Sequence, residues 1–173
     1  IQIVDESDVE IEIRNNGIIV QQGLNLESIS LQLSEGINNI EINSSDIYGN
    51  IGNSLNLAIS LDTILPNITI QSIPEFVNVN TISLSFSVTD ANLLNVEIYN
   101  NSVLVSQGPN LQSAEVGLTE GINKLSIKAT DTVGNVKAVA YPDLALDTIT
   151  PSLSIKDSIQ NIVKDSNQQL SFN

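Results

Sequence analysis

The stretch that decides the fold is EGINNIEINSSDIYGN, residues 35–50, because EGINKLSIKATDTVGN at residues 120–135 repeats it with the same spacing. The two stretches begin 85 residues apart, and the flanking positions keep that offset without a gap. Between residues 11–66 and 96–151, 24 of 56 aligned positions are identical. A period of this length exceeds the ~20–50 residues of solenoid and propeller repeats, so each copy is predicted to be a domain of its own.

The repeat divides the chain into three segments. Residues 66–150 are predicted to form a complete copy, residues 1–65 a copy that lacks its opening strands, and residues 151–173 the opening strands of a third copy. The segments 62–66 and 147–151 share the pattern Asp-Thr-x-x-Pro and follow the last predicted strand of a copy. We predict that both are joints between domains, because proline fixes φ and stiffens the connection.

The local pattern predicts an all-β fold. Apolar residues alternate with polar ones in TISLSFSVTD (residues 81–90) and SLNLAISLD (residues 54–62), as in strands with one buried face. The Asn-Gly pair in NNG (residues 15–17) suits a tight hairpin. Seven short antiparallel strands per copy predict tandem immunoglobulin-like β-sandwiches. In the complete copy we place them near residues 67–71, 81–89, 95–100, 102–106, 112–118, 122–130 and 136–146.

Composition and charge exclude several kinds of chemistry and partner. The chain is 41% hydrophobic and contains neither cysteine nor histidine, so zinc or haem ligation by those groups and disulfide bonds are excluded. Its net charge is −14, with −9 on residues 1–65 and −5 on residues 66–150. Such a field repels phosphate, so we expect no nucleic-acid partner. No apolar run approaches the ~18–20 residues of a spanning helix, so we expect no membrane insertion in this segment.

The acidic and aromatic residues do not predict an enzyme or a sugar-binding platform. In VDESDVEIEI (residues 4–13), Glu10 and Glu12 alternate with apolar residues and are predicted to lie on the solvated face of a strand. Glycoside hydrolysis needs two carboxylates ~5–10 Å apart in a cleft, and a small sandwich of this pattern builds none. Aromatic residues make up only 3% of the chain, which disfavours sugar stacking. We therefore expect no catalytic activity.

The quoted stretch ends in a turn of the pattern Asp-x-x-Gly-Asn. It consists of Asp46, Gly49 and Asn50 in the first copy and of Asp131, Gly134 and Asn135 in the second. An Asp side chain in such a turn accepts hydrogen bonds from backbone N–H groups two residues later, and glycine adopts the left-handed conformation without a Cβ clash. The turn therefore has a structural explanation that needs no ligand.

Calcium at the domain joints is the one cofactor hypothesis, and no other cofactor is expected. Asp62 or Asp147 would bind the ion together with a nearby loop acid such as Asp90 or Asp131, since carboxylate oxygens suit Ca²⁺. The alternative is that these acids cap turns and stay solvated.

GINKLSIKATDTVGN followed by LDTITPSLSI resembles the bacterial Ig-like repeats of large surface proteins and adhesins. The resemblance covers both copies, and LDTILP and LDTITP fit the junction that ends each domain of that family. Ser44 stands where the family usually has alanine. The resemblance implies an extracellular or cell-surface location, and tandem sandwiches that serve as stalks, adhesin shafts, filaments, surface-layer components or accessory modules of secreted glycan-active enzymes.

Two functions are consistent with this sequence. The first is a structural repeat module whose partners are neighbouring Ig-like domains of the same or another copy. The second is a binding module, either of an adhesin or of a secreted hydrolase. A binding site should break the repeat, and the positions where the copies differ most build no predicted pocket, which favours the structural role.

The C-terminal segment suggests a way to form a homopolymer. QLSFN at residues 169–173 resembles SLSFS at residues 83–87, so the tail repeats the opening strands of the complete copy. We hypothesise that this tail completes the first sandwich of a further copy by strand addition, with head-to-tail growth. Its apolar side chains are Leu153, Ile155, Leu170 and Phe172. The alternative is that adjacent parts of a longer chain supply the missing strands.

Overall fold

The computed structural model describes residues 6–154, which contain fourteen strands and no helix. Hence no part of this range could cross a membrane as an apolar helix. The chain divides into two compact units, Ile1–Leu65 (unit 1) and Pro66–Asn173 (unit 2). Residues 62–66, between the last strand of unit 1 and the first of unit 2, belong to no strand. The prediction of an all-β fold is confirmed.

Unit 1 is one antiparallel sheet in the order β2-β1-β3-β4. Its strands are β1 (Val9–Asn15), β2 (Ile18–Leu24), β3 (Gly36–Asp46) and β4 (Leu55–Leu61). Asn16 and Gly17 have positive φ angles of 50° and 81°, as expected for the Asn-Gly hairpin between β1 and β2. The buried apolar side chains are Val9, Ile11, Ile13 and Ile40, all on β1 and β3.

The described part of unit 2, residues 66–154, contains ten strands in three sheets. The sheets have the orders β10-β7-β5, β11-β14-β6 and β13-β12-β8-β9. Their strands are β5 (Asn67–Ile70), β6 (Phe76–Val77), β7 (Thr81–Thr89), β8 (Leu93–Asn100), β9 (Val103–Gly108), β10 (Ser113–Gly117), β11 (Gly121–Asn123), β12 (Leu125–Asp131), β13 (Val136–Ala140) and β14 (Leu144–Leu146).

These sheets enclose one hydrophobic core. Leu84, Phe86 and Val88 of β7 pack in a single cluster with Val96 and Ile98 of β8. The same cluster contains side chains from β10, β12 and β14. Because every one of these strands buries alternate residues, unit 2 is an immunoglobulin-like β-sandwich, as the alternation predicted.

Two of the strand predictions in unit 2 are wrong in one respect. Residues 122–130 divide into β11 and β12, and residues 136–146 divide into β13 and β14. The second division falls at Tyr141–Asp143, where Pro142 has no N–H to donate to a ladder. The chain thereby passes from pairing with β12 to pairing with β11.

The antiparallel prediction also fails at one place. The two-residue strand β6, which was not predicted, pairs with β14 in parallel. The backbone N–H of Ala145 donates to the carbonyl oxygen of Glu75 at 2.9 Å, which extends this pairing. A pair so short leaves no periodic signal in the sequence, because period-two alternation needs about four residues to be recognised.

Candidate functional sites in the two repeats

The turn acid of unit 2 is fully engaged by its own turn. Asp131 Oδ1 accepts hydrogen bonds from the backbone N–H groups of Val133, Gly134 and Asn135 at 3.0, 2.7 and 2.8 Å. Its Oδ2 accepts one from Asn135 Nδ2 at 2.7 Å. Gly134 has φ +97°, which explains why glycine stands there. The residue is only 1% exposed.

Unit 1 builds the same turn. Asp46 Oδ1 accepts hydrogen bonds from the backbone N–H groups of Tyr48 and Asn50 at 2.9 and 2.7 Å, and Oδ2 accepts one from the Asn50 side chain. Gly49 has φ +90°. All six turn residues named from the sequence therefore occupy the positions that the structural explanation requires.

The hydrogen bonds also set the acidity of both turn acids. The Asn50 side chain, with help from backbone N–H groups, holds the pKa of Asp46 below its ordinary value. Burial acts to raise the pKa of Asp131, but the hydrogen bonds from Asn135, Gly134 and Val133 outweigh it and hold that pKa low as well. Both acids are thus kept ionised, which suits an acceptor and does not suit a general acid near neutral pH.

The glutamate that opens each quoted stretch holds the segment after the last strand. Glu35 Oε2 accepts a hydrogen bond from Thr63 Oγ1 at 2.7 Å, and the Thr63 N–H donates to the same carboxylate at 3.2 Å. Glu120 and Thr148 repeat this arrangement in unit 2, with an Oγ1–Oε2 distance of 2.9 Å. Each Glu therefore fixes the first residues of an Asp-Thr-x-x-Pro segment to its own unit.

The asparagine two residues after Gly36 and after Gly121 is buried in both units. Asn123 Nδ2 donates to the carbonyl oxygens of Thr119 and Gly121 at 2.8 and 3.0 Å, and its Oδ1 accepts from Thr119 N–H at 2.9 Å. Asn100 Nδ2 donates to that same Oδ1 at 2.9 Å. Asn38 makes the matching bonds in unit 1, to Ser34 and Gly36 and from Asn15. This polar cluster closes the loop before β3 and before β11.

Sequence reasoning missed the roles of these Glu and Asn side chains. The repeat itself carried the signal, since Glu35, Gly36 and Asn38 recur as Glu120, Gly121 and Asn123. An identity between copies does not say which partner a side chain contacts. The contacts span 28 residues for Glu–Thr and 23 for Asn–Asn, so only the folded chain shows them.

The four acids named for calcium have different surroundings. In unit 2, a carboxylate oxygen of Asp90 and one of Asp131 lie within 4.8 Å of each other. Asp90 Oδ1 accepts a hydrogen bond from Asn92 N–H at 2.8 Å. Asp62, in unit 1, and Asp147 each accept one from the backbone N–H two residues later. Each acid thus has a turn-capping contact, and calcium binding stays a prediction.

Asp147 lies far from the Asp90–Asp131 pair within unit 2. It follows β14, which pairs with β11, and β11 precedes the seven-residue strand β12 that ends at Asp131. A strand of that length extends ~20 Å, so Asp147 and Asp131 belong to opposite ends of the sandwich. The combination of Asp147 with Asp131 in one unit is therefore excluded by the topology.

Among the described residues of unit 1, no second sheet covers the apolar face of the sheet. A groove of about 160 Å³ crosses this face, lined by Ile11, Ile13, Leu26, Glu27, Ser28, Ile29 and Ile42. Leu57 pairs with Ile40, so it lies on the same face, and it is 51% exposed. The residues at 28–32, whose counterparts form β10, belong to no strand, and none of the strands described in unit 1 pairs with them. The groove contains no aromatic side chain to stack on a sugar.

The segment proposed to exchange between copies is described only at its start. Leu153 is 77% exposed. Ile155, Leu170 and Phe172 lie outside the described residues.

No protein-family model matches this sequence, and no curated protein matches it. Among solved structures, the chain is similar to fibronectin(III)-like modules of CbhA from Clostridium thermocellum. The TM-score is 0.44 and the sequence identity 11%, over 84% of this chain and 82% of that chain. A likeness of this degree carries no argument about what the chain does.

Proposed function

We propose that this chain is a structural repeat segment of an extracellular or cell-surface protein, such as a stalk, a filament, a surface layer or the shaft of an adhesin. One observation carries the proposal. The polar residues that both copies share hold each unit's own turns and loops, as Asp131, Glu120 and Asn123 show. A binding or catalytic residue would keep a free functional group directed at a cleft, whereas these three side chains are engaged by hydrogen bonds within their own unit.

The proposal includes no catalytic role. The turn acids accept hydrogen bonds through both carboxylate oxygens, and their pKa values are lowered. A general acid needs the opposite shift, toward neutral pH. The net charge of −14 favours solubility of the chain.

The Asp-Thr-x-x-Pro segments support a tandem array. Glu35 accepts a hydrogen bond from Thr63, and Glu120 accepts one from Thr148. The first residues of each Asp-Thr-x-x-Pro segment are therefore fixed to the unit that precedes it. A proline ends each segment at Pro66 and Pro151 and restricts the backbone there. We propose neighbouring Ig-like domains, of this copy or another, as the partners, including head-to-tail assembly through strand addition.

A binding module is the second candidate, because unit 1 has an apolar groove whose counterparts in unit 2, such as Ile98 and Ile127, are buried in the core. The groove is lined by aliphatic side chains and by Glu27, which suits an apolar segment and not a sugar. A glycan array and an extracellular-matrix protein array probed with the full chain would detect a ligand. Saturable binding of one compound, lost on substitution of a groove residue, would favour this candidate.

The location and the structural role are tested on cells that make the protein. An antibody raised against the chain should label intact cells or their appendages, and external protease should remove the label. Electron microscopy of released material should show extended assemblies that the antibody decorates. Labelling that requires cell lysis would contradict the proposal.

A further inference from the structure

The first hairpin turns of the two units share one backbone conformation. Asn16 and its counterpart Asn101 both have a φ of 50°. They are followed by Gly17, with a φ of 81°, and by Ser102, with a φ of 66°. All four residues are exposed. The turns are therefore a matched pair in which glycine stands where the second copy has serine.

The side-chain amide of each asparagine is held in the same way. Asn16 Oδ1 accepts a hydrogen bond from the backbone N–H of Asn39 at 3.0 Å. Asn101 Oδ1 accepts one from the backbone N–H of Lys124, also at 3.0 Å. In unit 1 the Asn39 side chain donates to the same oxygen as well, at 3.2 Å. Donors placed on an amide oxygen stabilise the negative charge that develops there when the carbonyl carbon is attacked.

The residue after an asparagine decides whether its backbone nitrogen can reach that carbon. A side chain on this residue hinders the attack, and glycine has none. Asn16 is the only asparagine of the chain that glycine follows. A Cβ placed on Gly17 would meet nothing within 4 Å, so the space around the attacking nitrogen is open.

We propose that Asn16 is a site of spontaneous deamidation, with water as the only co-reactant, and that Ser102 protects Asn101 from the same reaction. The backbone nitrogen of Gly17 loses its proton to hydroxide and forms a bond to Cγ of Asn16. The Cγ–Nδ2 bond then breaks, Nδ2 takes up a proton and leaves as ammonia, and a five-membered succinimide remains. Water adds to either carbonyl carbon of this ring and breaks its bond to nitrogen, which gives aspartate or isoaspartate.

The turn slows ring closure without blocking it. Closure requires rotation about the bond between Cα and the carbonyl carbon of Asn16, away from the left-handed conformation. Gly17 permits this rotation, because glycine adopts φ angles of either sign. Motions of an exposed turn are many orders of magnitude faster than such a reaction, so the turn can open often enough for the ring to form.

Isoaspartate at this position would change the hairpin itself. Its main chain runs through Cβ and Cγ, which adds one atom to a two-residue turn. The pair nearest the turn, Asn15 with Ile18, would then lose its register. In the described sheet β2 is an edge strand that pairs with β1, so conversion should loosen β2 while β3 and β4 stay paired.

The experiment incubates the full-length chain at mildly alkaline pH for several weeks. Peptide mass spectrometry measures conversion at each asparagine, because deamidation replaces NH2 by OH and raises the mass. We expect Asn16 to react at least ten-fold faster than Asn101. Equal rates at the two positions, or no conversion at Asn16, would overturn the proposal.

Exchange of the two following residues gives matched control variants. Gly17→Ser should slow conversion of Asn16 at least ten-fold, and Ser102→Gly should accelerate conversion of Asn101 by a similar factor. Both variants can keep the turn, because Ser102 already has a positive φ and glycine adopts one readily. A fast site that does not move with the glycine contradicts the proposal.

Hydrogen exchange tests the effect on the hairpin. After incubation, the wild-type chain should exchange faster in β2 and unchanged in β4, whereas Gly17→Ser should keep its initial protection in both strands. The fresh variant Asn16→Asp should also protect β2, because an ordinary aspartate adds no atom to the main chain. If β2 stays protected in chains shown to contain isoaspartate, the predicted loss of register is wrong.

Discussion

Ile59 in unit 1 is 37% exposed, whereas its counterpart in unit 2, Leu144, is fully buried. The two residues are of similar size and lie 85 positions apart, so the difference does not come from the residues themselves. In unit 2 a second layer of strands covers this face, and in unit 1 the described residues supply only one sheet. The same sequence pattern therefore gives a closed core or an open one according to what packs on it.

The pairing of the last segment also differs between the units, β4 in unit 1 and β13–β14 in unit 2. At one end the two copies share a register, since Gly36 pairs with Leu61 as Gly121 pairs with Leu146. Further along, Ser126 pairs with Ala140, while its counterpart Glu41 pairs with Asn56, one residue away from the matching register. In unit 2 the one-residue shift of register occurs at Tyr141–Asp143, where the chain passes from one sheet to another. In unit 1 the pairing continues without a shift along the single strand β4. A shift of one residue reverses which face a side chain takes, so beyond the shift the two copies turn different members of this segment toward the apolar face.

The largest expected effect is on the unfolding free energy, when either of two isoleucines at equivalent positions is replaced by alanine. Ile127→Ala removes a fully buried side chain from a closed core and should cost about 3–4 kcal/mol of unfolding free energy. Ile42→Ala removes a partly buried side chain from the groove and should cost about 1–2 kcal/mol, because less apolar area is lost. Hydrogen exchange followed by mass spectrometry resolves the two units within one chain. Equal costs would show that unit 1 is as closed as unit 2.

The second comparison concerns the buried asparagines, which make matching contacts in both units. Asn123→Ala and Asn38→Ala should each cost about 2 kcal/mol, because each leaves buried carbonyl oxygens without a donor. We expect the two costs to agree within about 0.5 kcal/mol, since both side chains are fully buried. Urea denaturation of each variant measures them. A much smaller cost in unit 1 would mean that its loop is held less firmly than unit 2's.

A smaller effect should appear in acid. The lowered pKa values of Asp46 and Asp131 mean that each ionised carboxylate stabilises the folded state at any pH above its unfolded-state pKa, about 3.9. This contribution is lost as the pH falls through the still lower folded-state pKa. Unfolding free energy measured between pH 5 and pH 2 should therefore fall less steeply in Asp131→Asn and in Asp46→Asn than in the wild type. A variant with an unchanged slope would show that its turn does not depend on the charge.

Calcium should give the smallest effect, and it concerns the Asp90–Asp131 pair of unit 2. With a Kd of about 1 mM, at the weak end for extracellular modules, 1 mM Ca²⁺ would stabilise unit 2 by about 0.4 kcal/mol. The melting temperature should rise slightly with Ca²⁺ and return to its starting value in chelator. Asp90→Asn should abolish the rise, and Asp143→Asn is the control, since Asp143 lies outside the acid pair. If the melting temperature does not change when Ca²⁺ is added, turn capping is the only role of these acids.

The sequence predicted the local structure well and the polar contacts poorly. The strands at 67–70 and 81–89 agree with prediction within one residue, because alternation of apolar residues reports burial on one face. In the Asp-x-x-Gly-Asn turn, the hydrogen bond from the N–H two residues after the Asp and the left-handed glycine were predicted, because both are local; the further bonds from Gly134 and Asn135 were not. The Glu120–Thr148 and Asn100–Asn123 contacts were not, because they join residues that only the fold brings together.

By itself the sequence determined the repeat, its 85-residue offset, the all-β class and the turns, because each follows from neighbouring residues or from comparison of the chain with itself. Tertiary structure alone decided that β13 and β14 separate at Pro142, that Asn123 is buried, and that unit 1 presents an apolar groove. Burial of a side chain depends on the layer of strands that packs over it, and two copies with the same sequence pattern can differ in that layer. Ile13 and Ile42 therefore line an apolar groove in unit 1, whereas their counterparts Ile98 and Ile127 are fully buried.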